Sequence, residues 1–294
     1  MPSAIDCYLC LLRQSLEAAR FASNDLQTHR MVFLDCMRKI LDSDALAPPP
    51  ILGRDIHRII RRVTGNPDPY LAEKRRANGS MLDQLEMARH RIVSSADPFD
   101  TAVRLAITGN IIDNALGTVA QKTIEQAFDN ALCGPINGST AALRSAIEAS
   151  DQIFYLTDNA GEIVCDRLLI EQIIGLFGKK VIVAVRGKPI INDATYDDAV
   201  AAGLTTMENV EVIDNGNDGL GTFLEECSEP FLRHFTGDGL VISKGLANYE
   251  TLVENTTRFQ PKKIAFLFKS KCPFISHYAG TTLGDMVIRI HPEQ

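Results

Sequence analysis

Two hydrophobic patterns divide the chain. From Ile5 to about Ala131, apolar residues recur three and four positions apart, which is the period of amphipathic helices. Proline and glycine clusters at 48–50 and 65–69 interrupt this pattern and predict turns between helices. No segment of this half has the pattern of a strand, so we predict an N-terminal region that is entirely helical.

Beyond a glycine- and proline-containing stretch at 133–138, short apolar runs alternate with helical segments. The predicted strands are 152–157, 180–186, 210–214, 239–243, 263–268 and 285–290. The helices predicted between the first four are 163–177, 196–202 and 221–235. Strands rich in valine and isoleucine, without alternation, are typical of a parallel sheet covered on both faces. We therefore predict a three-layer α/β/α, Rossmann-like fold with a mostly parallel sheet at 133–294, beside a helical region at 1–132.

Polar or charged residues follow each of the first five predicted strands. These segments are Asp158-Asn159, residues 188–193, residues 215–218, residues 244–248 and residues 269–271. Because the carboxyl ends of parallel strands lie at one edge of a sheet, we expect these segments to converge.

The residue types at this edge suit phosphoryl chemistry. Asp158, Asn159 and Asp193 offer hard oxygen ligands for Mg²⁺ or Mn²⁺. Lys244 and Lys271 could hold phosphate oxygens, and a helix that opens at Gly161-Glu162 would add backbone N–H groups. A metal ion there would polarise the phosphoryl group and activate a water molecule. We therefore predict a metal and phosphate site.

Each feature alone also has a structural explanation. Asp158, Asn159 and Asp193 could cap the helices that follow them, and Lys271 could be a solvated charge at a strand end. We favour a functional site because five successive strands end in this way, which capping does not require.

The composition narrows the classes of partner. The 294 residues are 45% hydrophobic and 23% charged, and the net charge of −7 favours neither nucleic acid nor an anionic membrane. No apolar run is long enough to span a bilayer. Seven cysteines without a signal sequence predict reduced thiols and a cytoplasmic protein. One face at 54–62 is basic, but it lacks aromatic residues, so we expect it to be solvated or to form an interface.

The pair Cys7-x-x-Cys10 leaves its role open. No strand precedes it, as thioredoxin-like chemistry would require, and no second such pair completes a structural zinc site. A metal or redox role remains an alternative to packing, with Cys272 as a third member in space.

Several of these segments resemble the damage-control phosphatase family, also known as domain of unknown function 89. The matching motifs are Asp158-Asn159-Ala160-Gly161-Glu162, residues 188–195, residues 243–250 and residues 269–273. Gly109-Asn110-Ile111-Ile112-Asp113 and the opening Cys7-Tyr8-Leu9-Cys10 resemble the archaeal and bacterial branch. The resemblance extends from Cys7 to the last predicted strand.

The resemblance implies a phosphatase with an α/β/α core and an added helical region that packs on the site. It implies metal ligands at Asp158, Asn159 and Asp193, and a phosphate-binding lysine at Lys271. Asn248 would lie in the substrate loop, and two further residues would join the site from the helical half, namely Asn110 and Asp113. Phe268 and Lys269 replace the arginine and threonine of other branches, which leaves the substrate in question.

Our prediction is a divalent-metal-dependent phosphatase that hydrolyses sugar phosphates or damaged phosphometabolites through a metal-activated water. The expected catalytic residues are Asp158, Asn159, Asp193 and Lys271, and the expected substrate-binding residues are Glu162, Lys244, Asn248, Gly161, Asn110 and Asp113. The cofactor would be Mg²⁺, Mn²⁺ or a similar ion such as Ni²⁺ or Co²⁺, with no nucleotide cofactor.

Three alternative functions or mechanisms compete with this prediction. An S-adenosylmethionine-dependent methyltransferase would carry a glycine fingerprint after the first strand, where Asp-Asn-Ala-Gly-Glu stands instead. An aspartyl-phosphate mechanism usually needs Asp-x-Asp, and Ala160 occupies the second position. A non-enzymatic ligand-binding protein on the same fold would show neither phosphatase nor methyltransferase activity.

Overall fold

The computed structural model describes residues 3–44, 47–109, 121–254 and 263–292. The helices of this part are α1 (Ile5–Ala22), α2 (Leu26–Leu41), α3 (Pro49–Thr64), α4 (Leu71–Leu82), α5 (Leu85–Val93), α6 (Pro98–Thr108), α7 (Gln121–Cys133), α8 (Thr140–Glu148), α9 (Glu162–Phe177), α10 (Tyr196–Ala201), α11 (Glu229–Phe235), α12 (Leu246–Leu252) and α13 (Pro273–Tyr278). The strands are β1 (Ile136–Asn137), β2 (Gln152–Leu156), β3 (Lys180–Val185), β4 (Val210–Asp214), β5 (Leu240–Lys244), β6 (Lys263–Lys269) and β7 (Met286–His291).

The strands form one sheet in the order β1-β7-β6-β5-β2-β3-β4. All neighbouring pairs are parallel except β6 with β7, which is antiparallel. From β2 the chain builds outward through β3 and β4, and then returns to place β5 on the other side of β2. The strand order therefore reverses beside β2, and such a reversal opens a crevice at the carboxyl ends of the strands.

Helices cover both faces of the sheet, which confirms the predicted three-layer architecture. Ile153 and Tyr155 of β2 pack into a core formed with α6 and α9. Their neighbours Phe154 and Leu156 point to the opposite face, into a core formed with α11, α12 and α13. Because successive side chains of a strand alternate between faces, β2 is buried on both sides.

The first three helices have a core of their own. Leu11, Val32, Cys36 and Ile56 lie in it fully buried or nearly so. Helices α4 and α6 pack instead on α9, which leads out of the central strand. None of the helices in the described part of the chain is long and apolar enough to cross a membrane.

The predicted strands are present, with ends shifted by at most one residue. The helix predicted at 221–235 was wrong: only Glu229–Phe235 is α-helical, after a single 3₁₀ turn at Leu224–Glu226. Pro230 lies in the first turn of α11, where its missing N–H costs nothing, and the hydroxyl of Ser228 caps this start. The strand β1 was not predicted, because two residues show no periodicity.

Candidate active site

Two of the polar segments meet through their backbones. Asn159 pairs with Asp193 in an isolated antiparallel bridge. The N–H of Ala160 donates to the carbonyl of Asn192 at 2.9 Å, and the N–H of Ala194 donates to the carbonyl of Asp158 at 2.8 Å. The side-chain amide of Asn159 also donates to Oδ2 of Asp158 at 3.0 Å. The structure thus brings together the three expected metal ligands, and all three are buried.

Arg186 connects these residues to two other strand ends. Its Nε donates to Oδ2 of Asp193 at 2.7 Å, and both side chains are buried. Its two terminal nitrogens donate to Thr222 Oγ1 at 3.3 Å and to Asn248 Oδ1 at 2.9 Å. Arg186 was not among the predicted site residues, although a charged residue at the end of an apolar strand is a signal for a buried ion pair.

Asn248 lies behind the site and has no exposed surface. Its oxygen accepts from Arg186 and from the Thr222 hydroxyl, and its nitrogen donates to the carbonyls of Thr157 and Lys244 at 3.1 and 2.8 Å. Every hydrogen-bonding position of this amide is therefore occupied by the protein. Asn248 was expected to contact substrate. In the structure it instead links the segments that follow β2, β3, β4 and β5 through hydrogen bonds.

Lys244 also differs from expectation, because its ammonium is fully buried. Nζ donates to the carbonyl of Ala106 at 2.9 Å, to Glu162 Oε1 at 2.6 Å and to Asp166 Oδ1. Burial alone would lower the pKa of Lys244, but the two carboxylates raise it overall. The structure does not support the expected contact of Lys244 with phosphate, because three protein acceptors occupy its three N–H groups. Glu162, also expected to bind substrate, is one of these acceptors.

Gly161 makes a close approach rather than an anion contact. Its φ is +79°, and a β-carbon there would lie 3.0 Å from Cβ of Ala77 on α4. Its N–H donates to Asn78 Oδ1 at 2.6 Å, so this group already has a hydrogen-bond acceptor within the protein. The expectation that this N–H binds the ligand therefore does not match the structure, whereas α4 meets the site through Asn78.

The pKa of Asp158 is raised well above its ordinary value. Burial is the largest cause, followed by the nearby carboxylates of Glu162 and Asp193. Arg186 and Lys271 act in the opposite direction, so the half-buried Lys271 lies within electrostatic reach of Asp158. Two further expected site residues, Asn110 and Asp113, lie outside the described residues.

Negative charge exceeds positive charge among the buried site residues. Buried carboxylates outnumber buried cations by four to two, which is a formal charge of −2 if every group is ionised, in the set Asp158, Glu162, Asp166, Asp193, Arg186 and Lys244. Within the described residues, Glu162 Oε2 and Asp166 Oδ2 have no hydrogen-bond partner. Burial and this crowding raise the pKa of Asp166 to about 6. The site has the composition that a divalent cation requires, because Asp158, Asn159 and Asp193 carry hard oxygen ligands and the charge of the ion would balance the excess of carboxylates.

No three His, Cys, Asp or Glu side chains of the described ranges cluster tightly enough to form a metal site by themselves. The expected metal ligands Asp158, Asn159 and Asp193 are two carboxylates and an amide, so they do not form a cluster of that composition.

The thiols of Cys7 and Cys10 both lie within electrostatic reach of Cys272, and burial raises the pKa of both Cys7 and Cys10.

The basic face of α3 forms an interface. Arg58 donates to Asp218 Oδ2 at 3.0 Å, Arg61 pairs with the same carboxylate, and Arg54 pairs with Glu226. Helix α3 thereby holds the loop at 215–222, and the Thr222 hydroxyl at the end of this loop donates to Asn248 at 2.8 Å. The loop is therefore fixed by the helical half of the chain.

Comparison with known proteins gives matches along nearly the whole chain. A family model described as damage-control phosphatase ARMT1-like domain matches residues 3–287. An uncharacterised protein of Methanocaldococcus jannaschii is 35% identical over 294 residues, which cover 96% of this chain and 93% of that protein. A damage-control phosphatase of Archaeoglobus fulgidus is 31% identical, with 97% of each chain covered. The crystal structure of a protein of the domain of unknown function 89 family from Pyrococcus horikoshii has a TM-score of 0.86 at 29% identity and covers 98% of both chains.

Proposed function

Since the chain belongs to the damage-control phosphatase family with an ARMT1-like domain, we propose that it is a divalent-metal-dependent phosphatase of small phosphorylated metabolites. Sugar phosphates and damaged phosphometabolites are the proposed substrates. The observation that supports metal dependence is that buried carboxylates outnumber buried cations by two where the strand order reverses. Such an excess is costly unless a cation balances it.

The ion would be held by the carboxylates of Asp158 and Asp193 and by the amide oxygen of Asn159. Arg186 donates to Oδ2 of Asp193 and so fixes the orientation of this carboxylate. The amide nitrogen of Asn159 donates to Asp158, which directs its oxygen elsewhere. When bound, Mg²⁺, Mn²⁺ or a similar ion such as Ni²⁺ or Co²⁺ polarises a phosphoryl oxygen and lowers the pKa of water.

The other residues bind and orient. Lys271 supplies a positive charge for the phosphate oxygens, at a position from which it already acts on Asp158. Arg186 fixes the carboxylate of Asp193, and Asn248 in turn fixes Arg186. Lys244 holds Glu162 in the first turn of α9, beside Asp158. We assign Arg186, Asn248, Glu162 and Lys244 as positioning residues.

We further propose that residues 1–132 form a helical region that packs on the site and that 133–294 form the catalytic core. Two contacts support this division of roles. The N–H of Gly161 donates a hydrogen bond to Asn78 of α4, and Arg58 of α3 binds Asp218 in the loop at 215–222.

A phosphate-release screen over metabolite phosphates, with and without a panel of divalent ions, tests the function. We expect release only with added ion, and a loss of at least a hundredfold in Asp158→Ala. Asp197→Ala is the matched control, because Asp197 is exposed and lies four residues from Asp193. Full activity of Asp158→Ala in the presence of EDTA would refute the mechanism.

A further inference from the structure

Lys269 is a half-buried cation at the end of β6, two residues before Lys271. No hydrogen bond or ion pair of its ammonium is found within the described residues. Burial lowers the pKa of Lys269, and the nearby charge of Lys271 lowers it further. Two ammonium groups held near each other, one of them without a carboxylate partner in the described part of the chain, create a local field that attracts anions.

Lys269 lines a cavity of about 350 Å³ between α6, α7 and the strands β6 and β7. The other polar side chains in its wall are Thr108, Gln126 and Asn130. No Asp or Glu is found among the described residues that line it. A cation surrounded by neutral hydrogen-bonding groups is suited to a carboxylate or phosphate, and the volume is at the lower end of the range for ligand pockets.

This cavity adjoins the candidate active site on two sides. Thr108 in its wall precedes Gly109, where a β-carbon would lie 3.1 Å from Cα of Glu162. Lys271 acts electrostatically on both Lys269 and Asp158, so its ammonium lies within electrostatic reach of the cavity wall and of the proposed metal ligands. A small molecule with its phosphate at Asp158 and Lys271 could therefore place a second group in the cavity.

We propose that this cavity binds a second anionic group of the substrate, so that the preferred substrates are phosphate monoesters that also carry a carboxylate or another phosphate. The proposal rests on the phosphatase function proposed above. Lys269 is then a specificity-determining residue, and Thr108, Gln126 and Asn130 supply the neutral contacts.

Substrates that share a phosphate ester on C6 and differ in the group at C1 test this proposal. We compare kcat/KM for glucose 6-phosphate with that for 6-phosphogluconate, which adds a carboxylate, and for glucose 1,6-bisphosphate, which adds a phosphate. The native enzyme is expected to prefer at least one of the two doubly anionic substrates by tenfold or more. Lys269→Gln should abolish that preference while it changes kcat/KM for glucose 6-phosphate by less than threefold.

Lys263→Gln is the matched control, because it makes the same change at the opposite end of β6. It should leave the preference intact. An equal kcat/KM for all three substrates, or a preference that persists in Lys269→Gln, would overturn the proposal and leave the phosphatase function standing.

A binding measurement separates the two proposals. Calorimetric titration of the native protein and of Lys269→Gln with 6-phosphogluconate, with Mn²⁺ absent, reports the cavity without hydrolysis. We expect affinity to fall at least tenfold in the variant. Binding that depends on Lys269, in a protein that hydrolyses no phosphate ester, would retain the anion cavity and reject the phosphatase function. Binding unchanged by the substitution would reject the cavity.

Discussion

A β-carbon on Gly245 would lie 1.9 Å from Oδ2 of Asp158. The backbone that follows β5 is therefore in direct contact with the carboxylate that follows β2. Gly245 has a φ of +81°, which is a region that other residues rarely adopt. The absence of a side chain at this position leaves room for the carboxylate of a proposed metal ligand.

Gly245→Ala should therefore reduce phosphatase activity at least a hundredfold. Asp158 has to move in this variant, and displacement of a catalytic group by about 1 Å is enough for such a loss. Gly178→Ala provides the control. Gly178 has a φ of +63°, but no atom lies within 4 Å of its added β-carbon. Both variants should lose about 1 kcal/mol of stability from backbone strain, and Gly245→Ala should lose more because its β-carbon also displaces Asp158. Activity assays and thermal melts distinguish them, and equal activities would argue against the contact.

Lys244→Met should destabilise the protein by about 3–5 kcal/mol, because it leaves Glu162 and Asp166 buried without a cation. Adding Glu162→Gln and Asp166→Asn should restore most of the loss. Lys180→Met removes an exposed pair with Glu211 at 2.7 Å and should cost less than about 1 kcal/mol. Urea unfolding measures all of these. A stable Lys244→Met protein with a raised KM would show instead that Lys244 contacts substrate.

Asp158→Asn should raise the melting temperature of the metal-free protein by a few degrees, because it removes a carboxyl group whose ionised form is disfavoured by burial and by the carboxylates of Glu162 and Asp193. Mn²⁺ at about a hundredfold above its Kd should stabilise the native protein by about 2.7 kcal/mol and leave the variant unchanged. Asp197→Asn should respond to Mn²⁺ like the native protein. Thermal melts with and without Mn²⁺ decide this, and the same response from Asp158→Asn would exclude Asp158 as a ligand.

Asp218 should contribute stability that depends on acid pH. The carboxylate is partly buried, which would raise its pKa, but the guanidinium groups of Arg58 and Arg61 lower the pKa to about 2. A lowered pKa in the folded state means that the stabilisation is present above the unfolded value of about 3.9 and is lost as pH falls through about 2. Asp218→Asn should thus cost about 1–2 kcal/mol at neutral pH, after allowance for the exposed side of Arg58, and much less at pH 2.

Unfolding by urea at several pH values tests this prediction. Asp35→Asn, which removes an exposed pair with Arg38, is the control and should show a much smaller effect. A difference between the native protein and Asp218→Asn that stays constant from pH 7 to pH 2 would contradict the assigned ion pairs.

The strands were predictable because burial on two faces leaves a strong local signal. Ile153 and Phe154 both had to be apolar, since each enters a different core. The convergence of Asp158 with Asp193 followed from the same argument, because a parallel sheet collects its strand ends on one edge. The prediction of a helix at 221–235 was wrong because Pro230 and the Ser228 cap determine where α11 begins.

The direction of individual side chains could not be predicted in this way. Lys244 ends β5 and Lys271 comes two residues after β6, yet the first is fully buried and the second half-buried. The difference arises from Asp166, one turn further along α9 than Glu162, which makes a second carboxylate available to Lys244. Arg186 likewise finds its partners in three separate segments of the chain. Such contacts depend on tertiary packing and have no periodic signature.

The buried triad of Lys244, Glu162 and Asp166 also has an evolutionary consequence. Replacement of the lysine leaves two buried carboxylates without a cation, and replacement of either carboxylate removes an ion pair of the lysine. Each single substitution therefore gives a less stable protein. The three positions should therefore be inherited together. Lineages that replace them should do so jointly, with neutral residues of similar size.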